Sequence, residues 1–188
     1  MQHRLSIENI ERAASEIDAV FTNTPQFNCE PLSKELGAQL TLKVETLNPI
    51  RSFKGRGADF FMSETKSTLQ DQQLVCATAG NFGQAMAYAC RKRSRHLIIY
   101  SATNANPLKI ERMRSMGAEV RQEGDNFDGS KESARAFCAS SGAHFVEDGR
   151  DIAISEGAGS IAVEMMKQRT FDTVLVPLGN GALITGMA

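Results

Sequence analysis

Apolar positions along this chain fall into two alternating rhythms. Short apolar runs are followed by longer stretches in which apolar residues recur three and four apart. Residues 6–20 place Ile7, Ile10, Ala14, Ile17 and Val20 near one face behind Ser6, which predicts a capped helix. Residues 40–45 alternate apolar and polar side chains and read as a strand. Another strand is expected at 74–78, leading through Gly80 into a helix over 84–93. A strand at 96–101 precedes a helix over 107–116, which starts on Pro107 and stops at Gly117 as its C' glycine. The rhythm continues with strand 118–121, helix 129–140, strand 144–146, helix 154–168 and a last strand at 173–177. Strands that alternate with helices in this way imply parallel pairing through right-handed crossovers, an α/β layered sheet.

The weak points in this pattern lie near residues 47–49 and 147–151. They make 49–148 one compact α/β unit and bring 1–48 and 149–188 together as part of another. The chain closes on Leu183-Ile184-Thr185-Gly186-Met187-Ala188, the first turn of an apolar helix. A helix that short is marginal, so the second unit is expected to be truncated at its C-terminal side.

Composition narrows the function classes. The 188 residues are 41% hydrophobic and 23% charged, as in a globular protein with a real core. Lys and Arg number 21 against 22 Asp and Glu, for a net charge of -1, which argues against nucleic acid or an anionic membrane as partner. Arg91, Lys92, Arg93 and Arg95 cluster at the end of a predicted helix and read as a solvated helix terminus. Four widely spaced cysteines show no Cys-x-x-Cys pair and no metal-ligand spacing with histidine. Cys76 and Cys90 lie in apolar surroundings and read as small core residues, which with a reduced thiol set suggests a cytoplasmic setting. Glu8, Glu11, Glu16 and Asp18 leave no apolar run for a signal peptide, and no stretch approaches a membrane span.

Three segments carry candidate chemistry. In Asn48-Pro49-Ile50-Arg51-Ser52-Phe53-Lys54-Gly55-Arg56-Gly57 a lysine follows an aromatic residue at a helix start. Such a lysine can form a Schiff base with an aldehyde and act as a base once released. A solvated lysine is the bland alternative. Thr78-Ala79-Gly80-Asn81-Phe82-Gly83 joins a strand to a helix, where backbone N–H groups can cradle a carboxylate. The alternative is a plain turn with Gly80 and Asn81 at positive φ. Pro177-Leu178-Gly179-Asn180-Gly181-Ala182-Leu183 offers N–H donors for a phosphate, against the alternative of an Asn-Gly hairpin.

Taken in order, these segments resemble the threonine/serine dehydratase branch of the fold-type II pyridoxal-phosphate enzymes, the tryptophan synthase β superfamily. Ser52-Phe53-Lys54-Gly55-Arg56-Gly57-Ala58 is similar to the family's Ser-Phe-Lys-x-Arg-Gly-Ala segment. Ala79-Gly80-Asn81 is similar to its Ser-Ala-Gly-Asn loop, with Thr78 for serine, and 179–183 resembles its tetraglycine-Leu phosphate loop. Weaker echoes are Thr24-Pro25, Lys43-x-Glu45, Pro107-x-Lys109, Met116-Gly117-Ala118-Glu119-Val120 and Glu156-Gly157-Ala158-Gly159-Ser160. Arg51, Phe82, Asn180 and Ala182 depart from the pattern.

The resemblance implies two three-layer parallel-sheet units, the larger one incomplete. It implies pyridoxal 5'-phosphate on Lys54, with Phe53 against the ring and Asn81 on a ring oxygen. Gly179, Asn180, Gly181, Ala182 and Leu183 would hold the phosphate. Ser52, Thr78, Ala79, Gly80 and Asn81 would receive the substrate carboxylate. The implied reaction converts a β-hydroxy amino acid to a 2-keto acid and ammonia in a homo-oligomer, a dimer. A β-replacement enzyme, a threonine synthase, a racemase and a cofactor-free relative with a structural or regulatory role remain the alternatives.

Overall fold

The structure is a computed structural model and describes residues 4–78 and 80–188. Its centre is a four-stranded parallel sheet of β3 (Leu74–Ala77), β4 (Leu97–Ser101), β5 (Glu119–Gln122) and β6 (His144–Phe145), in the order β5-β4-β3-β6. Every residue of β3 and β4 is buried, as expected of strands covered on both faces. Alternation divides them cleanly. Leu74, Cys76, Leu97 and Ile99 point into a core with Phe60, Met86, Cys90 and Met113. Val75, Ala77, Ile98 and Tyr100 face Ala134 and Phe137 on the opposite side. Helices α4 (Asn81–Lys92) and α5 (Pro107–Ser115) cover the first face, and α6 (Phe127–Ser141) covers the second. The predicted three-layer α/β arrangement is present.

A second cluster of elements surrounds α7 (Ile152–Gln168), which packs on α1 (Ile7–Glu16), α3 (Lys54–Glu64) and α8 (Ala182–Met187). The α3–α7 approach is close: a Cβ on Gly57 would lie 2.5 Å from the Ile154 carbonyl oxygen. Below this crossing sits a buried ion cluster. Arg56, fully buried, donates Nη1 to Glu164 Oε1 at 2.7 Å and Nη2 to Glu164 Oε2 at 3.0 Å. Its Nε and Nη2 each reach Glu45 at 2.9 Å, and Lys43 Nζ pairs with Glu164 at 2.6 Å. The cluster ties α3 and α7 to the ribbon of β1 (Gln26–Asn28) and β2 (Thr41–Lys43).

Several expectations need correction. Residues 173–177 form no strand; Val174 and Leu175 are exposed, and no described strand lies alongside to supply a ladder. The strand expected at 40–45 is three residues long and pairs antiparallel with β1, which was not foreseen, nor was α2 (Glu30–Leu36). The first helix stops at Glu16 because Ile17 turns extended. The basic cluster is only partly solvated: Lys92 pairs with Asp18, Arg93 with Asp59, and Arg95 donates to the carbonyls of Leu69 and Gln72. No helix among the described residues is long and apolar enough to cross a membrane. Cys76 and Cys90 are core residues as expected.

Candidate active site

Lys54 is the first residue of α3, where the chain leaves a tight turn. Asn48 organises that turn: its Oδ1 accepts from the N–H groups of Ile50 and Ser52 at 3.2 Å, and its Nδ2 donates to the Ser52 carbonyl at 3.1 Å. Ser52 Oγ accepts from the Lys54 N–H at 3.3 Å, which leaves its hydroxyl proton free to donate elsewhere. The next five residues of α3, from Gly55 to Asp59, are all buried. Lys54 is thus the point where a buried helix meets an opening.

The glycine-rich turn meets it there. Lys54 Nζ lies 3.4 Å from Asn180 Oδ1, across 126 residues of sequence. Its ammonium sits 4.8 Å from the centroid of the Phe53 ring, and Phe53 itself packs in one apolar cluster with Ile161 and Leu183. Gly181 is at φ 92°, and because α8 begins at the next residue instead of a returning strand, the hairpin alternative at 180–181 does not hold. Asn180 Oδ1 also accepts from the Ala182 N–H at 3.2 Å, so one backbone donor of the turn is already engaged. A Cβ added at Gly179 would meet nothing within 4 Å, and the turn therefore borders open space.

One residue of the site was missed. Asp148, in the loop after β6, places Oδ2 at 2.6 Å from Lys54 Nζ, and its Oδ1 is buried with no hydrogen-bond partner among the described residues. No motif in the sequence marks it; only the turn character of Asp148-Gly149 hints at a position near a loop.

The turn at 78–81 forms a separate feature. Thr78 is buried, hydrogen-bonded by its N–H to the Tyr100 carbonyl, and its Oγ1 accepts from the Gly80 N–H at 3.1 Å. Its hydroxyl proton is therefore available to an incoming acceptor. Gly80 has φ -143°, so the positive-φ alternative fails there. Asn81 is exposed at the start of α4, and Ala79 lies outside the described residues. No hydrogen bond or ion pair among the described residues joins this turn to Lys54.

The fold is that of the fold-type II pyridoxal-phosphate enzymes. A crystal structure of a pyridoxal 5'-phosphate-dependent aspartate racemase superposes with TM-score 0.92 at 26% identity, covering 100% of this chain and 59% of that one. Processed threonine deaminase isoform 2 from Solanum lycopersicum gives TM-score 0.84 at 26% identity, over 100% of this chain and 53% of that one. The family profile for pyridoxal-phosphate dependent enzymes matches residues 17–188, and this chain belongs to that family. The biosynthetic L-threonine dehydratase of Lactococcus lactis is 31% identical over 97% of this chain. The chain spans about half the length of that relative, 46%.

Proposed function

We propose that the chain holds pyridoxal 5'-phosphate on Lys54 and serves as an ammonia-lyase of the threonine/serine dehydratase kind. The observation that carries this reading is the meeting of Lys54 Nζ with the Asn180 side chain of the glycine-rich turn at 3.4 Å. An amine for the aldehyde and a turn of backbone donors for the phosphate stand side by side, with open space at Gly179. The residues fit the group. The backbone of Gly179, Asn180, Gly181, Ala182 and Leu183 would hold its phosphate once the Asn180 side chain releases the Ala182 N–H, and Phe53 would flank its ring.

When bound, the cofactor supplies an electron sink for the charge left by loss of the substrate α-proton. Lys54, with its amine free, would take that proton at Nζ. The free hydroxyl protons of Thr78 and Ser52 would orient the substrate carboxylate, since the N–H groups of Thr78 and Gly80 are already bonded to the Tyr100 carbonyl and to Thr78 Oγ1. Asn81 would donate to the ring oxygen. Loss of the substrate β-hydroxyl as water would leave an enamine, to which one water adds to give a 2-keto acid and ammonia. We further read 49–148 as the smaller unit and 1–48 with 149–188 as part of the larger, supported by the packing of α1 and α8 on α7, with α3 as the element that joins the two by packing on both α7 and α4. A dimer is the assembly we expect.

The test is incubation of the purified chain with pyridoxal phosphate, followed by absorbance, borohydride reduction and peptide mapping. A visible Schiff-base band with the label on Lys54 supports the reading, and Lys54→Ala removes both. A band of equal size in the Lys54→Ala protein overturns it. Product analysis with serine and threonine, keto acid against inverted amino acid, separates the lyase from a racemase.

A further inference from the structure

The loop after β6 sets a carboxylate against the lysine of the proposed site. Asp148 Oδ2 lies 2.6 Å from Lys54 Nζ, and the two side chains are only 14% and 15% exposed, lysine first. The other oxygen, Oδ1, is buried without a hydrogen-bond partner among the described residues, which is a costly state for a carboxylate. Among the described residues, Lys54 is the one cation in ion-pair contact with Asp148, so this single pair compensates the burial.

The loop has little freedom to withdraw. Gly149 adopts φ +83°, and a Cβ there would come within 2.8 Å of the Asn180 carbonyl oxygen. The Asp148-Gly149 turn is therefore packed directly on the glycine-rich turn. Asn180 completes the enclosure, since its Oδ1 contacts both Lys54 Nζ and the Ala182 N–H. The lysine ammonium lies between two acceptors that come from two different loops.

We propose that Asp148 is a positioning residue that restrains Lys54: the ion pair keeps the ammonium at the 179–183 turn and must break before the amine can attack an aldehyde. The proposal rests on the reading of Lys54 as the cofactor lysine. In the step concerned, the ammonium first gives a proton to solvent. The freed lone pair then adds to the aldehyde carbon, a C=N bond forms and one water leaves. While Nζ is held at 2.6 Å from the carboxylate it is not free to approach an aldehyde carbon, so capture waits on the loss of the Asp148 contact. The pair sets the rate at which this lysine can be engaged.

Mild reductive methylation with formaldehyde and cyanoborohydride tests this without the cofactor. The modification rate of Lys54 is read by peptide mapping, with exposed Lys66 as the internal reference. Asp148→Asn keeps the shape and removes the charge, so Lys54 should react on the order of tenfold faster while Lys66 is unchanged. Asp148→Glu restores the charge and should return the rate toward that of the parent, which a merely structural role for the loop would not produce. Circular dichroism checks the fold of each variant. Asp148→Ser carries the same expectation if the Asn variant does not fold. A Lys54 rate in the charge-removed protein equal to or below the parent rate overturns the proposal. A parallel arm with pyridoxal phosphate and borohydride keeps the two readings apart. Absence of label on Lys54 in every variant removes the cofactor reading, while the methylation ratio still decides the role of Asp148.

Discussion

Arg56 offers the sharpest test of how the site is held. It stands two residues beyond Lys54, is 0% exposed, and reaches Glu45 and Glu164 through four contacts of 2.7–3.0 Å. Arg56→Met keeps an apolar stem and removes the charge. Glu164 is then left with Lys43 as its only ion-pair partner among the described residues, and Glu45 loses its own. Breaking a buried pair by deleting one partner costs about 3–5 kcal/mol. The pH dependence gives an independent check. Burial alone would raise the Glu164 pKa, but hydrogen bonds from Arg56 and Lys43 outweigh it and hold the carboxyl at about 2. A depressed carboxylate stabilises the fold above its unfolded pKa, and that contribution is lost as pH falls toward the folded value. From an ordinary 4.5 to about 2 the contribution is ~3 kcal/mol at pH 7, with ~2 kcal/mol of it gone at pH 3. Urea unfolding should show the variant weaker by at least about 3 kcal/mol at pH 7, with the gap narrowing by more than about 1 kcal/mol at pH 3. A deficit below about 1 kcal/mol at pH 7, or a gap that widens in acid, would refute the reasoning.

Two other expectations follow from packing and burial. Gly57→Ala would push a methyl to 2.5 Å from the Ile154 carbonyl oxygen, forcing α3 and α7 apart. Thermal or urea unfolding should register a loss of about 1–3 kcal/mol, and an unchanged midpoint would contradict the close crossing. Burial pushes the Cys76 thiol well above the ordinary thiol range, and burial, only partly offset by Arg95 and Arg93, pushes Cys90 up to about 12. Both should resist iodoacetamide in the native state from neutral to mildly alkaline pH and react only on unfolding, as read by mass mapping. Alkylation of Cys90 faster than global unfolding would count against that burial.

The parts of the fold that were legible in the sequence are those where burial imposes one period. Strands expected at 74–78 and 96–101 appear as Leu74–Ala77 and Leu97–Ser101, because buried parallel strands carry unbroken apolar runs. The helix at 107–116 appears as Pro107–Ser115, marked by proline at one end and Gly117 at the other. Helix α3 was visible only at its start. Its sequence, Lys-Gly-Arg-Gly-Ala-Asp-Phe-Phe-Met-Ser-Glu, buries Arg56 and Asp59 along with its apolar residues, so no apolar stripe signals its length. The segment 173–177 shows the opposite failure. Its apolar run has the composition of a strand, yet a strand exists only through a neighbour's hydrogen bonds. The Asn180 side chain lies 3.4 Å from the motif lysine, a contact that the motif order does not specify. Asp148 left no trace, since a lone acidic residue in a turn is indistinguishable from solvated charge.

That omission bears on how the departures from the family pattern are to be weighed. Taken alone, Asn180 in place of a loop glycine looks like damage to a phosphate cradle. In the structure its side chain caps the Ala182 N–H and contacts the lysine, so it fills the space a glycine would leave. Asp148 faces the same amine from the other side, and Gly149 packs the two loops together where a Cβ would not fit. The substitution at 180 and the carboxylate at 148 thus form one local solution around Lys54. Replacing Asn180 with glycine would remove one acceptor and leave the ion pair, so the methylation rate of Lys54 should stay at the parent's, whereas removal of the Asp148 charge should raise it.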